Sequence, residues 1–265
     1  MIHGMELETI LYSTEDNIAH IRLNRPDGAN ALNPALSRDL RDVMCEAEFD
    51  TDVRAVAVTA EGKVFCAGGD LKEFHAAGDG VARLASDMLT DFHGAMYRMN
   101  RMPKPVVAGV GGNCGGAGMS IVSAFDLVIA GESAKFTMAY TAAGVTPDGT
   151  STYFLSRHIG VRRAMELTLT NRVLSAAEAE NWGFVNQVVA DDEVDQTAID
   201  LAKKLAAGPS FALGNAKKLI YEGHDSPLAT TGEREGETIA RAMLTPDGRE
   251  GIAAFVEKRR PNFNA

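Results

Sequence analysis

Two glycine-rich segments carry main-chain groups that could do chemistry. The first is Val64-Phe-Cys-Ala-Gly-Gly-Asp-Leu-Lys-Glu-Phe74, and the second is Gly111-Gly-Asn-Cys-Gly-Gly-Ala-Gly-Met-Ser120. Each follows an apolar run typical of a strand, and the second leads into a helical pattern. Glycine lets the backbone turn sharply and lets a ligand approach bare N–H groups, while a helix N-terminus leaves amides unpaired and partly positive. The segments are therefore candidates for binding a negatively charged group through main-chain amides.

Known phosphate-binding and nucleophile motifs do not fit these segments. A dinucleotide fingerprint needs GxGxxG, but Gly109-Val-Gly111 is followed three residues later by Cys114, and no GxxxxGK[ST] is present. Ser120 does not form a GxSxG nucleophile elbow, because Val122 stands where the second glycine should be. Close packing of a helix against a sheet also favours small residues and remains an alternative explanation.

Three residue types elsewhere have ordinary structural interpretations. Asp148, in Gly144-Val-Thr-Pro-Asp-Gly-Thr-Ser-Thr-Tyr-Phe154, comes after a proline and before a helical pattern, where an aspartate commonly caps the helix. His93 follows Phe92 in a helical pattern and could be a helix residue without a catalytic role. Cys66 and Cys114 are interpreted as small residues in tight backbone.

The chain alternates between short strands and helices, and then becomes wholly helical. Apolar runs typical of strands occur at 16–23, 54–59, 105–110, 126–130 and 184–189. Helical patterns lie between them at about 34–48, 82–101, 116–124 and 149–168, which predicts βαβ crossovers and a largely parallel sheet. Four successive helices are predicted at 191–207, 209–223, 229–243 and 247–257. We therefore predict an α/β core at 1–190 and a helical region at 191–265 that packs on something else, such as a subunit interface.

Composition excludes several classes of function. The 265 residues include 26 Lys+Arg and 36 Asp+Glu, and the net charge of −10 argues against binding to nucleic acid or to an anionic membrane. Three cysteines and no His/Cys/carboxylate cluster with ligand spacing predict no disulfide framework, metal or redox cofactor. The start lacks a signal-peptide pattern, and no apolar run approaches the roughly 18 residues needed to cross a bilayer. A cytoplasmic protein is expected.

Several motifs together resemble the signature blocks of the crotonase (enoyl-CoA hydratase/isomerase) superfamily. Three blocks occur in the family's order and spacing: Asn24-Arg-Pro-Asp-Gly-Ala-Asn-Ala-Leu32, the Phe-Cys-Ala-Gly-Gly-Asp-Leu segment and the glycine-rich helix entry. Further matches are Ser133-Ala-Lys-Phe136, Leu174-Ser-Ala-Ala-Glu-Ala179 with Trp182-Gly-Phe, and Gly251-Ile-Ala-Ala-Phe-Val-Glu-Lys-Arg-Arg-Pro-Asn-Phe263. The resemblance covers nearly the whole chain.

The resemblance implies a fold, an assembly and a binding site for the CoA part of a substrate. The fold would be an α/β spiral of ββα units with a helical C-terminal trimerisation region, forming a homotrimer or a dimer of trimers. The amides of Gly69 and Ala117 would form an oxyanion hole. Coenzyme A, as part of an acyl-CoA substrate and not as a separate cofactor, would lie near Arg25, Ala29, Ala31, Ala67, Asp70 and Leu71. Phe255 and Lys258 would reach a CoA bound mainly by a neighbouring subunit.

The resemblance also leaves a choice of reaction. The two glutamates that activate water in the family's hydratases fall on Ser120 and Tyr140, which argues against hydration. Asp148 matches an aspartate that moves a proton in double-bond isomerases and in the ring-epoxide isomerase of phenylacetyl-CoA catabolism, and this is the leading prediction. In 4-chlorobenzoyl-CoA dehalogenase the matching aspartate attacks an aromatic ring, and by spacing from Pro103-Lys-Pro105 His93 falls on its histidine. Tyr140 falls where that enzyme has a tryptophan. A non-catalytic acyl-CoA-binding protein is the third possibility.

Overall fold

The computed structural model describes residues 6–263, within which the strands form two sheets. In chain order the strands are β1 Ile10–Glu15, β2 Ile18–Leu23, β3 Ala55–Ala60, β4 Val64–Cys66, β5 Val106–Val110, β6 Asn113–Gly115, β7 Leu127–Gly131, β8 Lys135–Thr137, β9 Leu174–Ser175 and β10 Gln187–Val189. The larger sheet has the order β1-β2-β3-β5-β7-β10, and the smaller has the order β4-β6-β8-β9. Residues 1–5 and 264–265 of the two predicted regions lie outside the described residues.

Successive strand pairs divide between the two sheets. β3, β5 and β7 run parallel in the larger sheet, and the strand after each of them, β4, β6 or β8, runs parallel in the smaller one. Helical structure follows each pair, so the chain winds as a spiral of ββα units. The predicted fold is confirmed. One edge pair of each sheet, β1 with β2 in the larger and β8 with β9 in the smaller, is antiparallel.

The helices fall close to their predicted positions. They are α1 Pro34–Phe49, α2 Leu71–Ala76, α3 Val81–Arg101, α4 Ala117–Ala124, α5 Ser151–Ile159, α6 Val161–Thr170, α7 Ala176–Trp182, α8 Val194–Ala206, α9 Ser210–Gly223, α10 Leu228–Leu244 and α11 Pro246–Glu257. The single helix predicted at 149–168 is wrong. Gly160, with φ of 80°, separates α5 from α6 because a residue with positive φ interrupts the helical hydrogen-bond pattern. The strand predicted at 184–189 is shorter and begins at Gln187, while Phe184 and Val185 pack into the core.

The larger sheet is buried on both faces, as the continuous apolar runs of its strands require. All five residues of β5 are buried. Ala198, Ala202 and Ala206 of α8 pack against one apolar cluster of the sheet, so the C-terminal helical region begins as part of the core. The α3 side chains Met96 and Met99 belong to the other, larger cluster.

The last two helices are exposed within one chain. α10 contains no buried residue, and in α11 only Ala254 is buried. Leu228 is 90% exposed and Phe255 is 85% exposed. Burying such side chains against another surface would stabilise the protein, because apolar area removed from water contributes about 25 cal/mol per Å².

Candidate active site

The fold brings the two glycine-rich segments side by side. β4 and β6 are parallel neighbours, and Cys66 pairs with Cys114 in the register of the smaller sheet. The loops that follow both strands therefore leave the same edge. Gly68, with φ of 106°, would place a side chain 2.9 Å from the Gly115 carbonyl oxygen and 3.4 Å from the Ala117 nitrogen. Only glycine allows the first loop to approach the start of α4 this closely.

Gly69 and Ala117 both line the cavity, and their amides have no hydrogen-bond partner within the described residues. Within residues 6–263 neither N–H donates a hydrogen bond to another protein group. Ala117 is the first residue of α4, where an amide has no partner inside the helix. Both residues line one cavity of about 320 Å³. Two free donors beside the same enclosed space can stabilise an anion or a developing oxyanion.

Apolar side chains form most of the cavity wall. Most of these side chains lie on one face of α3 at the spacing of the helical repeat, and Phe74 of α2 adds to them. The α3 residues are Val81, Ala85, Met88, Leu89 and Phe92. The sequence analysis did not identify these residues. The i, i+3, i+4 spacing from Val81 to Phe92 was the available signal. Such a wall suits an uncharged acyl group.

Asp148 and Tyr140 line the same cavity and are hydrogen-bonded to each other. The Tyr140 hydroxyl donates to Asp148 Oδ1 at 2.6 Å. The Ser120 hydroxyl lies 2.7 Å from the Tyr140 hydroxyl and 3.0 Å from the Asp148 carbonyl oxygen. The two positions that carry glutamates in the resembling hydratases thus hold hydroxyl groups around one aspartate. Ser120, which was not predicted as a site residue, is buried behind this pair.

The environment of Asp148 favours its protonated form more than water does. Burial raises the pKa of the Asp148 carboxyl, while the hydrogen bond from Tyr140 acts in the lowering direction. Burial, and then the charge of Asp148, raise the pKa of the Tyr140 hydroxyl. Tyr140 is therefore a neutral hydrogen-bond donor over the range in which Asp148 titrates. A partly desolvated carboxylate with a raised pKa is suited to proton transfer.

Asp148 does not cap the following helix, so this alternative interpretation is wrong. Thr150 is the residue before α5, and it makes no side-chain cap hydrogen bond. The Asp148 carbonyl oxygen, not its carboxylate, accepts from the Ser151 N–H at 3.1 Å. The carboxylate is held by Tyr140 instead, since the turn after β8 brings that tyrosine to the loop.

His93 lies next to the cavity but does not line it. It follows Phe92 on α3, and a step of one residue turns a side chain by about 100° around the helix axis. Its ring lies in an outer groove beside Thr90 and Tyr97. Nε2 of His93 accepts a hydrogen bond from the Gly149 N–H at 3.2 Å. The predicted site histidine is thus near Asp148, but the structure does not bring its ring into the cavity.

The residues predicted to bind CoA form one connected strip. The Arg25 guanidinium contacts Asp70 Oδ2 at 2.7 Å and donates to the Ala31 carbonyl oxygen at 2.9 Å. Although burial acts to raise the pKa of Asp70, hydrogen bonds from Arg25 and from the amides of Glu73 and Lys72 lower it. The Ala67 N–H donates to the Ala29 carbonyl oxygen at 3.0 Å.

Only part of this strip borders the cavity. Ala67 and Leu71 line the cavity, whereas Arg25, Ala29, Ala31 and Asp70 do not. Phe255 and Lys258, at the end of α11, are exposed and do not line it either.

The cysteines of the two glycine-rich segments, Cys66 and Cys114, are buried. Burial raises the pKa of the Cys66 thiol to about 11 and also raises that of Cys114, so both are poor nucleophiles. In residues 6–263 no cluster of three or more His, Cys, Asp or Glu side chains could hold a metal ion. None of the helices described is long and apolar enough to cross a membrane.

The chain is similar to known proteins over nearly its whole length. A model of the family described as enoyl-CoA hydratase/isomerase matches residues 13–265. The chain is 36% identical over 258 residues to the 1,2-epoxyphenylacetyl-CoA isomerase of Escherichia coli K12, covering 97% of this chain and 98% of that protein. It is 33% identical over 250 residues to 4-chlorobenzoyl coenzyme A dehalogenase-2 of an Arthrobacter species, covering 92% of this chain and 88% of that protein. The crystal structure of an enoyl-CoA hydratase from Mycobacterium smegmatis superimposes with a TM-score of 0.91 at 32% identity, covering 97% of this chain and all of that one.

Proposed function

Since this chain belongs to the enoyl-CoA hydratase/isomerase family, we propose that it is an acyl-CoA isomerase that uses Asp148 to move a proton. The reaction would shift a double bond or rearrange a ring in the acyl group. The similarity to an epoxyphenylacetyl-CoA isomerase supports a CoA thioester as substrate. Because the proposed reaction exchanges only a proton, it needs no further cofactor.

The proposed steps conserve atoms and charge. The Asp148 carboxylate takes a proton from a carbon next to the thioester or conjugated with it, and the electron pair of that C–H bond moves toward the thioester oxygen. The Gly69 and Ala117 amides stabilise the resulting enolate, and losing one such donor typically costs about 2.7–4 kcal/mol. The protonated Asp148 then returns the proton to a different carbon. The product has the mass of the substrate.

One observation carries this proposal. Among the described residues that line the cavity, Asp148 is the only one with a carboxylate, and it shares the cavity with both free amides. Hydration would need water activated by the residues at the two family glutamate positions. These are Ser120 and Tyr140, and neither side chain supplies a carboxylate base.

The alternative is hydrolysis or dehalogenation of an aryl-CoA, and the similarity to a dehalogenase favours it. Asp148 would attack the ring, and His93 would activate water to hydrolyse the ester. The orientation of His93 argues against this, because the ring lies in the outer groove and Nε2 already accepts the Gly149 N–H. A non-catalytic acyl-CoA-binding protein is the third candidate.

A panel of acyl-CoA substrates separates these functions. Aliphatic enoyl-CoAs, ring-epoxide CoAs and halogenated aryl-CoAs would be incubated with the enzyme, with mass and double-bond position measured together. Isomerisation leaves the mass unchanged, hydration adds water, and dehalogenation exchanges halide for hydroxyl. Retention of CoA thioesters without any conversion would identify a binding protein and would overturn the proposal.

We also propose that the chain assembles as a homotrimer or a dimer of trimers through its C-terminal helices. The exposed apolar side chains of α10 and α11 support this, and they include Leu228, Leu244, Ile252, Phe255 and Val256. Scattered exposed apolar residues are ordinary, but several on two consecutive helices are typical of an interface. In such an assembly Phe255 and Lys258 would approach CoA bound to a neighbouring subunit.

A further inference from the structure

The peptide group between Asp148 and Gly149 is held at both of its polar ends. Its carbonyl oxygen, on Asp148, accepts from the hydroxyl groups of Ser120 at 3.0 Å and Ser151 at 2.8 Å. Its N–H, on Gly149, donates to Nε2 of His93 at 3.2 Å. These contacts come from three different elements, α3, α4 and α5. The orientation of this peptide therefore depends on groups outside the loop itself.

Gly149 lies so close to Phe92 and Ser120 that no side chain fits at this position. Its φ is 59°, in the left-handed region, and a side chain there would lie 2.5 Å from Phe92 Cε1 and 2.8 Å from Ser120 Cβ. Phe92 lines the cavity, and His93, the next residue on α3, lies on the other side. α3 thus contacts the loop twice, through the Phe92 ring and through the His93 nitrogen.

The direction of the hydrogen bond restricts what His93 can do. A backbone N–H can only donate, so Nε2 must accept and therefore carries no proton. The Nε2 lone pair is engaged and cannot at the same time receive a proton from water. The geometry fits a neutral imidazole with its proton on Nδ1. His93 and Tyr97 line the same outer groove, and their ring centroids lie 6.0 Å apart.

We propose that His93 is a positioning residue, whose Nε2 orients the Asp148–Gly149 peptide and so aims the Asp148 carboxylate into the cavity. The inference rests on the proposed function of Asp148 as the proton-transferring group. Tyr140 fixes Oδ1 of the carboxylate, while His93 and Ser120 fix the backbone that carries it. A displacement of about 1 Å in a reacting group can cost about a hundredfold in rate, so the anchoring matters for turnover.

Two substitutions at His93 test this role. His93→Gln retains an acceptor that can receive the Gly149 N–H, whereas His93→Phe fills similar space without one. We expect the Phe variant to lose about ten- to a hundredfold in kcat with KM nearly unchanged, and the Gln variant to recover most of that loss. Full kcat in the Phe variant would overturn the proposal. An equal loss in both variants would also overturn it, because imidazole chemistry itself would then be required.

A measurement on the unmodified enzyme keeps the proposal testable if a variant does not fold. Nitrogen-15 NMR distinguishes a protonated from an unprotonated Nε2, and the Gly149 amide should show a scalar coupling or exchange protection that reports its bond to His93. A protonated Nε2 or an unprotected Gly149 amide at the assay pH would refute the role. This result does not depend on turnover. A substrate panel without isomerisation would overturn the proposed function and leave the NMR result standing.

Discussion

The Tyr140 hydroxyl donates to Asp148 Oδ1 at 2.6 Å, so the two oxygens of this carboxylate differ in their hydrogen bonding. Oδ1 already accepts this hydrogen bond, so in the proposed mechanism Oδ2 is the oxygen that accepts the substrate proton. A hydrogen bond to the charged form favours that form, and Tyr140 therefore offsets part of the effect of burial on the Asp148 pKa. In the proposed mechanism Tyr140 therefore lowers the basicity of Asp148 and leaves Oδ2 for the substrate proton.

Replacing Tyr140 by Phe removes this donor. The pKa of Asp148 should then rise further, since burial continues to raise it while the Tyr140 contribution is lost. The acid limb of the kcat/KM profile, on which the base becomes deprotonated, should move to higher pH. Tyr153→Phe is the matched control, because its hydroxyl binds Asp225 at the surface. An acid limb at unchanged or lower pH in Tyr140→Phe would contradict the assignment.

Asp148→Asn separates the catalytic role from a structural one. Turnover should fall by about a hundredfold or more, the scale of a lost general base. Burial raises the pKa of Asp148 in the folded state. The neutral carboxyl therefore contributes stability that is complete below the pKa of the unfolded state, about 3.9, and that is lost as the pH rises through the pKa of the folded state. Neutral asparagine avoids that loss, so Tm at neutral pH should stay equal or rise. Normal turnover per folded molecule with a lowered Tm would assign Asp148 a structural role.

Much of the site could be predicted because it depends on local backbone chemistry. The glycine-rich segments after strands predicted main-chain amide donors, and the family resemblance assigned them to Gly69 and Ala117. Both residues line the cavity together with Asp148 and Tyr140. The paired strands β4 and β6 were not predicted, because three residues are too few to show a period.

The orientation of two side chains could not be predicted from the sequence. The Pro-Asp pattern suggested a helix cap for Asp148, whereas the tertiary contact with Tyr140 determines where its carboxylate lies. The resemblance matched His93 to the histidine of the dehalogenase, but the helical step from Phe92 turns its ring into the groove. Local patterns identify such residues, and packing between elements decides what they face.

The space beside Gly69 is filled by Phe74. A side chain at Gly69 would lie 2.7 Å from Phe74 Cε2, and Phe74 lines the cavity. Gly69→Ala should therefore displace the ring and lower kcat/KM by about tenfold, the scale of one misplaced methylene in an apolar pocket. Adding Phe74→Leu should recover part of this loss, because the shorter side chain leaves room for the methyl group. The test is a double-mutant cycle on kcat/KM, and simple additivity would show that the two positions do not compete for space.

Ala117→Pro removes one of the two proposed oxyanion donors. Ala117 is the first residue of α4, where proline is well tolerated, so the fold should persist by circular dichroism. We expect turnover to fall by at least about a hundredfold because the amide N–H is lost. Ala117→Gly keeps the N–H and should lose far less. A folded proline variant with full turnover would show that this amide does not stabilise the enolate.

Lys258 tests the proposed contact with CoA across a subunit boundary. It follows α11 in a left-handed conformation and is exposed within one chain, so its ammonium group is accessible to a neighbour's ligand. Lys258→Ala should weaken binding of CoA thioesters by a similar factor for every acyl group, because CoA is their common part. Arg260→Ala, which removes an equal charge two residues further on, should have a much smaller effect. Binding is measured by calorimetry with several acyl-CoAs, and sedimentation of the same samples reports assembly. An effect confined to one acyl group, or a stable monomer at micromolar concentration that binds CoA normally, would refute the shared site.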